Sequence, residues 1–103
     1  FRHGTFIAVE AVVSVGTDVG KFVIINARAG VGHDSKVGDF CNVCPGVSLS
    51  GHTHLDDHVF MGTNSCTAPG MSVGKGATIC CGTPVLKDVA AGTTLSPFGS
   101  LKN

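Results

Sequence analysis

A chain of 103 residues at 10.4 kDa has room for one domain, and its seven Lys and Arg balance seven Asp and Glu. Neither a basic surface for nucleic acid nor an acidic disordered tail is encoded. Fifteen Gly, fourteen Val and no Trp or Tyr disfavour a helical fold, while 43% hydrophobic against 14% charged residues fits a buried core. No apolar run reaches ~18 residues and no charged segment precedes an apolar stretch, which predicts no membrane span, no signal peptide and a cytoplasmic address. Five Cys (41, 44, 66, 80 and 81) are odd in number and unevenly spaced, as in a reducing compartment.

A period of six runs from the first residue. Stepping from Phe1 through Ile7, Val13, Val19 and onward to Ala91 meets Val, Ile, Leu, Met or Phe at fourteen of sixteen positions, where chance would place about five. The residue after this aliphatic one is Gly at 20, 32, 38, 62, 74 and 92, and two places further on stand Gly4, Gly16, Gly46, Gly70, Gly76 and Gly82. Both columns read as turns in which a positive φ is cheap. The next position carries small residues such as Thr5, Ala29, Ser35, Cys41 and Ser65, suited to a narrow interior. Val19-Gly20-Lys21, Val37-Gly38-Asp39, Leu55-Asp56-Asp57 and Val73-Gly74-Lys75 recur at eighteen, with Ala91-Gly92 as the next member. Three hexapeptides therefore close one coil of a triangular prism. Residues 1–96 predict an all-β parallel solenoid of about five 18-residue coils in unbroken register, roughly 25 Å long at ~4.8 Å per rung. Residues 97–103 leave the repeat as a C-terminal tail, with Ser96-Pro97-Phe98-Gly99 placed to fold back as a cap. The chain begins at Phe1 rather than Met and in register, so the first coil is expected to be covered by a preceding domain or a partner.

Three places break the pattern without structural need, and a fourth only imitates a chemical motif. His33 and Asp34 follow the corner glycine Gly32, and a His beside a carboxylate is a natural general base at neutral pH. Cys41-Asn42-Val43-Cys44 imitates a metal or redox motif, but its two Cys fall in different columns and read as small buried residues. Within residues 1–96 Gly51 occupies a column that otherwise holds no glycine, and it lies eighteen residues after His33, so its N–H is placed one rung from the base, as an oxyanion hole requires. His52, His54 and His58 with Asp56 and Asp57 invite a metal reading, yet His52 and His58 share a column on successive faces and point apart, so no metal is expected.

The stretch from Asn26 to Lys87 resembles the NeuD/PglD-type sugar O- or N-acyltransferases of the hexapeptide-repeat superfamily. The likeness is carried by Val31-Gly32-His33-Asp34-Ser35-Lys36-Val37-Gly38-Asp39-Phe40, Pro45-Gly46-Val47, Val59-Phe60-Met61-Gly62-Thr63-Asn64, Pro69-Gly70-Met71-Ser72-Val73-Gly74 and Val85-Leu86-Lys87-Asp88. The resemblance implies the left-handed form of the β-helix, an exception to right-handed crossovers. It also implies a homotrimer with acetyl-CoA in the groove between neighbouring prisms and a sugar or nucleotide-sugar acceptor. His33 would then be the base, Asp34 would raise its basicity, and the Gly51 N–H would hold the thioester carbonyl. Asn26 matches a position near the acceptor, and Asn42, Thr63 and Cys81 match positions lining the cofactor groove. Asn42 stands where relatives often have a second His, and Cys81 where many have Gly. Relatives also carry an N-terminal Rossmann-like domain that holds the nucleotide-sugar, which these residues do not encode. The alternative is a truncated or inactive solenoid acting as a trimeric assembly module.

Overall fold

The computed structural model describes residues 1–101, so the last two residues of the 97–103 tail lie outside the described part. Strands of two residues recur every six positions from Phe6–Ile7 to Pro84–Val85, and no helix occurs among the described residues. Each strand as far as Cys66–Thr67 pairs in parallel with the one eighteen residues later, as in Phe6↔Ile24, Val12↔Gly30 and Asp18↔Lys36. Three faces result. The first stacks Phe6–Ile7, Ile24–Ile25, Asn42–Val43, Phe60–Met61 and Thr78–Ile79. The second stacks Val12–Val13, Gly30–Val31, Ser48–Leu49, Cys66–Thr67 and Pro84–Val85, and the third Asp18–Val19, Lys36–Val37, His54–Leu55 and Ser72–Val73. This is the expected left-handed parallel β-helix of about five turns.

The interior explains the six-residue rhythm. The second residue of each strand points inward, and from Val19 to Val85 this column is buried throughout. The column that predicted small residues supplies the rest of the core, with Val23, Ala29, Cys41, Val47, Val59 and Ala77 packed among the aliphatics. Buried hydroxyls in it are mostly satisfied locally, since an unpaired one costs about 1–3 kcal/mol. Thr53 Oγ1 donates to Ser50 O at 2.7 Å and shares a 2.8 Å bond with Thr67 Oγ1, while Ser65 Oγ donates to Gly62 O at 2.6 Å.

The two glycine columns have different causes. At every sixth residue from 4 to 82 the backbone is left-handed, through six glycines and also through Glu10, Phe22, Arg28, Asp34, Phe40, His52, His58 and Asn64. A side chain there costs roughly 1–2 kcal/mol, so the fold imposes the turn whatever residue occupies it. The glycines that follow the aliphatic column, by contrast, do not have positive φ before the last coil. A Cβ on Gly32 would stand 2.5 Å from Gly51 N and 2.6 Å from Ser50 C, and one on Gly62 would stand 2.7 Å from Cys81 N. Close approach of the next coil, not backbone conformation, excludes side chains at these corners.

The last coil departs from the predicted register. Thr78 pairs with Thr94, Ile79 with Leu95, and Val73 bridges to Val89, each sixteen residues on. Two residues are missing from this turn, so Val89 and Leu95 occupy the aliphatic column, and Ala91-Gly92 does not continue it. Gly92, with φ of 72°, takes the left-handed position instead. The chain then reverses: Thr94–Ser96 pairs antiparallel with Gly99–Leu101, which puts a hairpin on the upper rim of the first face. With this hairpin the molecule extends 33 Å along its longest axis and 21 × 20 Å across.

At the corner between the third and first faces, the left-handed positions of successive coils carry Phe22, Phe40 and His58. Their rings stack at centroid separations of 5.6 and 4.9 Å, each pair within 9° of parallel. His3 meets Phe22 edge-on at 5.6 Å.

Candidate active site

The corner between the second and third faces holds His33. The strand Gly30–Val31 ends at Gly32, whose lack of a side chain lets the next coil pass directly above. His33 then projects outward with 57% of its side chain exposed, and its Nδ1 lies 3.0 Å from Asp34 Oδ2. Asp34 is in the left-handed conformation with φ of 54°, and its N–H donates to Val15 O at 3.0 Å. A carboxylate at Nδ1 fixes the tautomer in which Nδ1 carries the proton and Nε2 accepts one.

Gly51 sits on the rung above. A Cβ built there would meet His33 Nε2 at 2.6 Å and the two flanking ring carbons at 3.0 Å. The imidazole therefore lies against the backbone of residue 51, and only glycine leaves it room. Among the described hydrogen bonds none uses the Gly51 N–H, although its carbonyl accepts from Gly70 N at 3.0 Å. A base nitrogen and an unspent backbone donor thus share one exposed corner, a pairing suited to removing a proton from a nucleophile and stabilising an oxyanion.

His52 was not foreseen as part of this corner. Its N–H donates to His33 O at 2.9 Å, and its ring meets that of His33 edge-on, with centroids 5.0 Å apart and planes at 84°. The offset of nineteen from His33 hides the contact from an eighteen-residue register. His54 points out from the third face and His58 stacks on Phe40 at the next corner, so the three neighbouring histidines separate onto three places of the prism.

The remaining predicted residues lie across the second face: Asn26, Thr63 and Cys81 at its corner with the first, and Asn42 on the adjoining strand of the first face. Asn26 Nδ2 donates to Asn42 Oδ1 at 3.1 Å and to Val43 O at 3.0 Å. Thr63 and Cys81 follow on successive coils of the same corner, where Gly82 N donates to Thr63 O at 2.9 Å. Burial, and then the nearby Cys81, push the Cys44 thiol up from its ordinary value. Cys41 is buried inside the prism and donates to Asp56 O at 3.0 Å, as its place in the inward column predicts. All five cysteines are free thiols.

The predicted residues thus fall into two groups on one chain. His33, Asp34 and Gly51 line one edge of the second face, and Asn26, Thr63 and Cys81 line its other edge, with Asn42 beside them on the first face. Between them the face presents Val12, Gly30, Ser48, Cys66 and Pro84. A cavity of about 480 Å³ lies on the third face, bordered by Lys36, His54, Ser72 and Asp88, and runs toward Gly38, Asp57 and Gly74 at the corner with the first face, away from His33.

Comparison with known proteins gives this geometry a context. No protein-family profile matches the chain. Over 84 residues, 82% of the chain, it is 34% identical to the acyl-[acyl-carrier-protein]–UDP-N-acetylglucosamine O-acyltransferase of Pseudomonas putida, and the match covers 32% of that protein. The chain therefore spans about a third of the length of such relatives. Among solved structures, WeeI from Acinetobacter baumannii superposes with a TM-score of 0.86 at 27% identity, covering 94% of this chain and 51% of WeeI. The acetyltransferase domain of PglB from Neisseria gonorrhoeae, in complex with acetyl coenzyme A, superposes with a TM-score of 0.74 at 29% identity, covering 97% and 52%. Among the described residues no helix is long and apolar enough to cross a membrane.

Proposed function

Because the chain carries the β-solenoid of the hexapeptide-repeat sugar acyltransferases, we propose that it transfers acetyl from acetyl-CoA to an amino or hydroxyl group of a sugar or nucleotide-sugar in the cytoplasm. The single observation that carries this reading is the placement of His33 Nε2 against Gly51, whose N–H is unspent.

In this reading the acceptor N–H or O–H gives its proton to His33 Nε2 as the nitrogen or oxygen attacks the thioester carbonyl carbon. Asp34 keeps the Nδ1 proton in place and stabilises the imidazolium that forms. The carbonyl oxygen, now negative, accepts from Gly51 N–H, a contribution of about 3–4 kcal/mol where such donors have been removed. Collapse of the tetrahedral intermediate breaks the C–S bond, and the departing thiolate takes the proton back from His33.

The two groups bear on assembly as half-sites. They flank one face, so a ring of copies with that face turned inward brings the Asn42–Cys81 edge of one chain against the His33 edge of the next. Small outward residues such as Gly30, Ser48 and Cys66 allow close packing there. The proposed assembly is a homotrimer with acetyl-CoA in each of three grooves, with Asn42, Thr63 and Cys81 along the pantetheine and Asn26 near the acceptor.

Calorimetric titration with acetyl-CoA tests the reading. The unmodified protein is expected to bind, and Gly51→Trp to lose binding, since the indole would displace His33 and fill the thioester position. Absence of binding by the unmodified protein at millimolar cofactor would overturn the proposal in favour of an assembly module.

A further inference from the structure

Acyl transfer as derived above uses His33 and Asp34 but gives His52 no task. That imidazole is exposed, adopts φ of 58°, and is held on the same corner by the bond from its N–H to His33 O. One donor atom from each of His33, Asp34 and His52 lies within 4.8 Å of the others. Two imidazoles and a carboxylate form a ligand set of borderline softness, the kind that selects zinc and its first-row neighbours over magnesium or calcium. Adjacent coils supply the donors, so the rung spacing sets them side by side. Exposure leaves the other coordination positions to water.

We infer that His33, Asp34 and His52 form a site for a divalent zinc-type ion whose occupancy switches the acyl-transfer corner off. Whichever nitrogen of His33 the ion takes, a neutral imidazole keeps its proton on the other one, and no lone pair remains for the acceptor. The ion also occupies the carboxylate that otherwise steadies Nδ1. Metal binding stands on the geometry alone; the switching clause rests on the general-base role of His33.

Zinc chloride titrated calorimetrically into the protein without cofactor is expected to show one site per chain. Loss of an outer-shell partner already weakens metal sites by ~10–100-fold, so His52→Ala, which removes a ligand, should weaken binding by at least about 100-fold. Asp34→Asn should weaken it as well. Titration with Co(II) separates this site from the exposed thiols of Cys66 and Cys81: nitrogen and oxygen ligation gives weak d–d bands without a thiolate charge-transfer band. In turnover, zinc is expected to inhibit the unmodified protein reversibly and to spare His52→Ala. Zinc binding of unchanged strength in His52→Ala, or a cobalt spectrum dominated by thiolate, would overturn the site. Equal inhibition of both proteins would overturn the switch, while failure of the acyltransferase reading would leave the calorimetric result standing.

Discussion

Two corners of this prism share one backbone and differ in what stands on it. Between the third and first faces the left-handed positions of successive coils are filled by Phe22, Phe40 and His58, whose parallel rings close the corner into a continuous column. Between the second and third faces the same positions carry Asp34 and His52, and the neighbouring column holds His33 below Gly51. One glycine makes the difference there, because it leaves room for an imidazole against the backbone. The backbone is indifferent to which corner becomes chemical. Side chains stacked rung on rung fill one corner and a missing side chain opens the other.

The largest expected break in this comparison comes from His33→Ala. Removing a general base costs ~10²–10⁴-fold in rate, so acetyl-CoA-dependent transfer to a sugar acceptor should fall by that range, measured as thiol release. The side chain is more than half exposed and lies outside the buried core, so circular dichroism and sedimentation should be unchanged. Turnover equal to the parent protein would remove the base from this corner.

A smaller effect belongs to the filled corner, where Cys41 lies inside the prism next to Phe40. Burial is the main cause pushing its thiol up from 9.0 to about 11. The folded thiol holds its proton more tightly than the unfolded one, so its contribution is complete below pH 9 and is lost as pH rises from about 9 to 11. The loss is on the order of 2 kcal/mol. Denaturant midpoints measured across that range should fall in the parent protein, and this component of the fall should be absent in Cys41→Ala. An identical alkaline slope in the variant would remove Cys41 as its source.

The last effect is that of Phe40→Ala. Each aromatic pair contributes ~0.5–1.5 kcal/mol, and Phe40 makes two, so a loss of about 1–3 kcal/mol is expected by urea unfolding, with acetyl-CoA binding unchanged. A change in cofactor affinity would show that the filled corner serves the site after all.

Much of this architecture is legible in the sequence because every inward position repeats at six and every stacked pair at eighteen. Val19, Val37, Leu55 and Val73 announce their neighbours without reference to coordinates. The last coil was misread because Ala91-Gly92 imitates the column that Val89 and Leu95 occupy; the six-residue spacing of those two was the available signal. Glycine columns were misread in cause, since a letter does not tell a left-handed turn from a close approach of backbone. The His33–Gly51 pairing was readable because it obeys the eighteen-residue rung. His52 was not, because its contact runs diagonally between neighbouring columns and depends on ring orientation. The division of the predicted residues into two groups required knowing which corners share a face.

The hairpin at the end of the short last coil governs how this molecule can meet others end to end. A parallel solenoid presents at each rim a row of unpaired amides and carbonyls on which another coil could template itself, and repetition of that contact would build a filament. On the first face the upper rim is held by Gly99–Leu101 running against the direction of every strand beneath it. Parallel extension stops at that face, and stacking of copies into a fibre through it would first require the hairpin to peel away.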